Sequence, residues 1–189
     1  SKAGHPVVFG VKDGKDNAAL LARCAKDARV ATPAEAAASA EVVVLAVPGI
    51  VALEVARGLP LDGKIVVDCN NPLVWKEGPV WAPPAAGSLA AAIAKASPGA
   101  RVVKGWNTFG AEFHGDPGRA GRPADVFFAS DDAAAKKTLS DVATSAGFHP
   151  VDAGPLRNAA RLENLAILWI HLAMVGGQGR DFTFVMQSR

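Results

Sequence analysis

Three short stretches put small and polar side chains where chemistry could be done. Ala46-Val47-Pro48, Asp68-Cys69-Asn70-Asn71-Pro72-Leu73 and Trp106-Asn107-Thr108-Phe109 each follow an apolar run. Side-chain amides carry donor and acceptor together, which suits a carboxamide or a sugar hydroxyl. A residue as small as Ala46 lets a ligand approach the backbone, and Pro48 ends a strand without a donor to satisfy. On local grounds alone, Asn70 serves equally well as an Asx-turn cap. Nothing in the chain spells a metal site or a nucleophile with its base. His5, His114 and His149 form no ligand cluster, and His171 reads as a packing or interface residue. Cys69 reads as a buried structural thiol, since neighbouring Asp68 gives no electropositive setting that would activate it.

The elements that must position these stretches are strands. Runs at 6–11, 28–31, 41–47, 64–69, 101–106, 124–129 and 148–152 alternate with alanine-rich helical segments. That is the pattern of an α/β fold, a doubly wound, mostly parallel Rossmann sheet with helices on both faces. Valine pairs or triplets in four runs predict strands buried on both faces. Thr32-Pro33-Ala34-Glu35 is a capping box with proline at the first helical position. Ser88 opens a helix that Ser97-Pro98-Gly99 stops, and Asp131 or Asp132 caps one that Gly147 ends. A C-terminal helix at 156–175 with one wide apolar stripe gives way to an extended tail, and 72–87 reads as a long irregular loop. Residues 1–189 read as one domain.

In such sheets, ligands bind outside the carboxyl ends of the strands, where all three polar stretches fall. The first run then reads as the second strand of a dinucleotide-binding sheet. An acidic residue at its end would hold the ribose hydroxyls of NAD, and a basic one the 2′-phosphate of NADP. Val11-Lys12-Asp13-Gly14-Lys15 puts a lysine first, which favours NADP, while Asp13 keeps NAD open. Sheet order also predicts a central slot where the first strand and its glycine-rich turn would lie. This sequence is therefore expected to be part of a longer protein, by roughly 20–25 residues.

Composition sets the outer limits. The chain has 189 residues, half hydrophobic and 20% charged, with a net charge of +2, so neither nucleic acid nor an anionic membrane is an expected partner. Two cysteines make no disulfide framework, and no run is apolar enough for a membrane span, so a cytoplasmic location is expected.

Taken together, Gly4-His5, Ala46-Val47-Pro48, Asp68–Leu73, Val103-Lys104-Gly105-Trp106-Asn107-Thr108 and Asp152-Ala153-Gly154-Pro155-Leu156 resemble the NADP oxidoreductases that depend on the deazaflavin coenzyme F420. They are also similar to the cytosolic domain of mammalian six-transmembrane metalloreductases. The resemblance implies hydride transfer between NADPH and a flavin-like ring, a reaction carried by the cofactors and needing no catalytic side chain. It assigns Lys12 and Lys15 to the 2′-phosphate with Val11 beside them, although the family often has a hydroxyl residue at the position of Val11. It assigns Ala46, Val47 and Pro48 to the ribose and pyrophosphate, and Asn71, Asn107 and Thr108 to the nicotinamide. Asn70 and Pro72 belong to the same wall. Gly154, Pro155 and Leu156 would form the far wall for the acceptor. Apart from the resemblance, the loop of Trp75 and Trp81 suggests an aromatic acceptor pocket, and Trp106 is expected as a further acceptor contact. The acceptor could be F420, FMN, riboflavin, a quinone or a ferric complex. A non-catalytic NADP-binding redox sensor is the alternative reading, and the last helix allows a homodimer.

Overall fold

The computed structural model describes residues 1, 3–12 and 17–187. All seven expected strands form, each shorter than its apolar run. They are β1 (Val8–Gly10), β2 (Arg29–Ala31), β3 (Val42–Leu45), β4 (Ile65–Asp68), and, after a hairpin described below, β7 (Arg101–Lys104), β8 (Asp125–Phe128) and β9 (His149–Asp152). Every pairing among these strands is parallel: β1 with β2, β3 with β4, β4 with β7, and β8 with β9. One isolated antiparallel bridge, Lys104 to Ala129, ties β7 to the segment after β8. The β8–β9 pair therefore runs against β7 and does not extend its parallel ladder.

Two single-turn helices, α1 (Ala18–Leu21) and α5 (Glu112–Gly115), precede β2 and β8, and the longer helices follow their start signals. Thr32 and Glu35 form the full capping box of α2 (Pro33–Ser39). Ser88 accepts from Ala91 N–H at the start of α4 (Leu89–Ala96), and Asp132 accepts from Ala135 N–H at the start of α6 (Ala133–Ser145). Helix α3 (Gly49–Arg57) joins β3 to β4. The C-terminal helix starts as a 3-10 turn, Leu156–Asn158, before α7 (Ala159–Met174). The expected irregular loop at 72–87 instead contains an antiparallel hairpin of β5 (Leu73–Trp75) and β6 (Pro79–Trp81). Its strands, three residues each, gave no alternating run long enough to read.

Two apolar layers flank the β3-β4-β7 sheet. Leu45, Val66 and Val102 face Ala52, Ala56, Leu89 and Ile93 of α3 and α4. On the other side, Ile65, Val67 and Val103 face Phe109, Phe113 and the buried side of α6. Strand β4 is buried at all four positions, as its valines predict. Strand β3 is not, because Val44 remains 54% exposed.

The reason is a break in the sheet. Among the described residues no ladder joins β1 to β3. Glu41 C=O accepts from Ile65 N–H, and Val7 C=O accepts from Arg29 N–H. Since parallel strands point alternate residues to opposite sides, Val42 and Val44 of β3, like Val8 and Gly10 of β1, turn their backbone groups toward the break. All four residues line a cavity of about 820 Å³, floored by Ala36, Ala37 and Val55. This is the slot that sheet order predicts. The tail beyond α7 is strapped back by Trp169, whose indole N–H donates to Phe182 C=O at 2.9 Å while the rings stack 5.4 Å apart.

Candidate active site

The carboxyl ends of β3, β4 and β7 are bound together by side-chain amides. Asn70 is buried, and its Oδ1 accepts from Val47 N–H at 3.2 Å while its Nδ2 donates to Leu45 C=O at 2.8 Å and Asp68 Oδ1 at 3.0 Å. Every hydrogen-bonding atom of that amide is used in holding the end of β3 to the end of β4. Next to it, Asn71 Nδ2 donates to Asn107 C=O at 3.0 Å, and Asn107 Nδ2 donates to Asn71 Oδ1 at 2.8 Å and Leu162 C=O at 3.0 Å. Two acceptors around Nδ2 fix which way the Asn107 amide points. That leaves Asn107 Oδ1 buried without a hydrogen-bond partner. Trp106, just before it, stands at φ +53, a left-handed conformation uncommon for a bulky residue and typical of functional loops. This turn ends β7 two residues earlier than its apolar run and delivers Asn107 and Thr108 to the β4 edge.

Beneath the amides lies a fully buried ion cluster. Lys104 Nζ donates to Asp68 Oδ2 at 2.9 Å, to Asn70 C=O, and to Glu163 Oε1 at 3.4 Å. Glu163, on α7, also accepts from Leu89 N–H at 2.8 Å and from the Trp81 indole at 2.9 Å. One carboxylate thus joins α7, the start of α4, the β5–β6 hairpin and β7. Beside the cluster, burial and then the nearby Asp68 charge push the Cys69 thiol up to about 11, and it donates to Leu45 C=O. A thiol so held is unreactive at neutral pH.

Toward the sheet break, the site opens. Lys12 is exposed at the end of β1 and lines the cavity with Val11, Val47 and Pro48. Helix α3 starts there with no side-chain cap at Pro48 and no acidic residue in its first turn, which leaves its N-terminal dipole unopposed. A Cβ on Gly49 would lie 2.4 Å from Asn71 C=O, so only glycine lets this helix start abut the end of β4. Exposed Ala46 and Pro48 leave the backbone accessible between them.

Comparison with known proteins agrees with this geometry. The family model described as NADP oxidoreductase, coenzyme F420-dependent, matches residues 1–72. The crystal structure of a candidate F420-dependent NADP reductase from Arthrobacter sp. FB24 is 34% identical over 99% of this chain and 90% of its own, with a TM-score of 0.83. The chain belongs to the family of F420-dependent NADP oxidoreductases. A hypothetical protein from Sinorhizobium meliloti is 26% identical over 82% of this chain and 76% of its own, with a TM-score of 0.70. A reductive aminase from Aspergillus terreus, solved with NADPH, shares the fold at 17% identity and a TM-score of 0.66, over 93% of this chain and 56% of its own.

As a member of this family, the chain is an NADP-dependent oxidoreductase. Of the expected cofactor residues, Val11, Lys12, Val47 and Pro48 line one cavity across the break between β1 and β3, with Ala46 beside them, while Asn71, Asn107 and Thr108 lie at the carboxyl ends of β4 and β7. Lys15 lies outside the described residues. Asn70 and Pro72 belong to the framework: Asn70 as the clamp above, and buried Pro72, whose C=O accepts from Ala82 N–H, as the base of the hairpin. Trp106 is partly buried and packs edge-on against Phe128 at 4.8 Å, at the margin of the core. Gly154, Pro155 and Leu156 do not join the site. Gly154 C=O accepts from Ser130 N–H and Leu156 N–H donates to Asp131, while Leu156 lines a shallow surface with Arg101 at the amino end of β7. The antiparallel turn of the chain after β8 carries them to that opposite end. Sequence reading missed Lys104 and Glu163, and placed Trp81 in an acceptor loop without its tie to α7. Their only signal was a charged residue at each of two positions that the strand and helix patterns mark as core.

Proposed function

We propose that this protein transfers a hydride between NADP(H) and a flavin-like or deazaflavin acceptor at the crevice above β3, β4 and β7. The observation that carries this reading is the buried, unpartnered Asn107 Oδ1 between Asn71 and the Trp106 turn. Leaving a buried acceptor unpaired costs about 1–3 kcal/mol, so a ligand N–H or O–H is the natural partner. The carboxamide of a nicotinamide ring supplies such a donor, so the residues present fit the group. When bound, NADPH supplies the hydride, and the acceptor takes it with its electron pair.

The chain's own residues bind and orient. Lys12 offers a cation to the 2′-phosphate, and the uncapped start of α3 offers backbone N–H groups to anionic oxygens. Asn71 is fixed through Asn107 and completes the polar edge of the nicotinamide site. Packed Phe109, Thr108 and Leu162 keep that side dry, which favours hydride transfer over loss to water. No side chain here needs to move a proton.

The test is to mix the protein with NADPH and, in turn, FMN, riboflavin and a deazaflavin, and follow NADPH absorbance. Oxidation of NADPH that requires both protein and acceptor is the expected result. NADPH binding with no oxidation under any acceptor would instead support the redox-sensor reading.

A further inference from the structure

We infer that Trp81 and Glu163 are positioning residues for the electron acceptor, forming a latch that holds the β5–β6 hairpin as the acceptor's aromatic wall. This rests on the hydride-transfer reading and gives that reaction its second substrate surface, which Gly154–Leu156 cannot provide.

A hairpin of two three-residue strands does not hold its place alone. Its strand β6 packs on α7, and a Cβ on Gly78 would lie 3.6 Å from His171 Nδ1 and from Val175. The polar tie is the Trp81 indole N–H on Glu163 Oε2. A charge-assisted bond of this kind, on a carboxylate with no solvent exposure, fixes one orientation of the ribbon. The ribbon springs directly from Asn71-Pro72, and Pro72 C=O closes its base on Ala82 N–H. Trp75 rides on it with 55% of its surface exposed, opposite Pro79 and on the face that also carries Leu73 and Trp81, while Val74 and Val80 pair on the other face. An exposed indole on the same face as the latched Trp81, a few residues from the amide pair, suits a planar aromatic acceptor that stacks.

Glu163 is shared with the other half of the site. Its Oε1 takes Lys104 Nζ, and Lys104 in turn holds the Asn70 carbonyl in the peptide that leads to Asn71. The neighbouring Leu162 carbonyl takes the Asn107 amide. The acceptor wall and the nicotinamide amides are thus set by consecutive residues of α7. A shift of the latch changes the distance between the two rings, on which hydride transfer depends.

Trp81→Phe removes the indole N–H and keeps an apolar ring. It is expected to raise the acceptor KM about tenfold, the loss of one hydrogen bond to a charged group, while leaving the NADPH Kd unchanged. Glu163→Gln, which keeps an acceptor oxygen, should fall between Trp81→Phe and the wild type. FMN binding, read by quenching of tryptophan fluorescence, tests the latch without turnover. Weaker FMN binding by Trp81→Phe, with circular dichroism and the NADPH Kd unchanged, supports the latch even if no acceptor turns over. Unchanged FMN affinity and unchanged acceptor KM would overturn it, as would parallel losses in NADPH and acceptor affinity.

Discussion

Replacing Lys104 by Met tests the ion cluster under the site. Lys104, Asp68 and Glu163 have no solvent exposure, so the two carboxylates have no water to turn to once the ammonium is gone. Asp68 would retain Asn70 N–H and Nδ2–H, and Glu163 would retain Leu89 N–H and the Trp81 indole. Those neutral donors offset only part of two uncompensated buried charges. Removing one partner of a buried ion pair costs about 3–5 kcal/mol, a large share of the roughly 5–15 kcal/mol by which a domain is stable. In a chain of this size, a loss of that order lowers Tm by about 6–20 °C. Urea unfolding, followed by circular dichroism, measures the loss. The double variant Lys104→Met with Glu163→Gln removes one abandoned carboxylate. It is expected to cost at least about 1 kcal/mol less than the two single losses together. A Lys104→Met loss below about 1 kcal/mol, or strict additivity in the double variant, would refute the idea that these three groups share one buried charge balance.

Three further outcomes follow from other parts of the molecule. In native-state hydrogen exchange, the Val42 and Val44 amides of β3 should exchange at least about 10³-fold faster than those of Val66 and Val67, because the former face the break and the latter lie inside the ladder. Equal protection would show the break to be closed in solution. Cys69 should resist alkylation near pH 8, since a thiol at about 11 holds roughly 100-fold less thiolate than one at 9 and is only partly exposed. Rapid labelling at that position would contradict the raised thiol. Asp132 caps α6 and pairs with Arg101, foremost through the Arg101 hydrogen bond, which holds its carboxyl at about 2. A lowered folded pKa stabilises above the unfolded value and is lost as pH falls through the folded one. The stability of the wild type should therefore drop between about pH 4 and pH 2 by more than that of Asp132→Asn. Identical acid profiles would remove Asp132 from the acid response.

Much of this architecture was legible because local signals and burial agree. The valine tracts at 66–67 and 102–103, the Thr32–Glu35 box, and the Ser88 and Asp132 caps each fix an element from neighbouring residues alone. The slot was legible too, from strand order rather than from any one residue. What was not legible depends on contacts far apart in sequence. The β5–β6 hairpin is too short to show a period, and its place is set by Glu163, 82 residues beyond Trp81. The fate of Gly154–Leu156 turns on the antiparallel bridge at Lys104, which no spacing announces. Asn70 and Asn71 are chemically the same and adjacent, yet one is spent on the strand ends and the other faces Asn107. Only the pairing register tells them apart.

The central claim is that the clustered strand ends hold NADPH, with Lys12 meeting its 2′-phosphate. Titration of the wild type and of Lys12→Glu with NADPH and with NADH tests it most directly. The wild type should bind NADPH more tightly than NADH. The substitution should weaken NADPH by about tenfold or more while sparing NADH, the loss expected of a charge-assisted phosphate contact. Equal effects on the two nucleotides, or no binding of either, would contradict the claim.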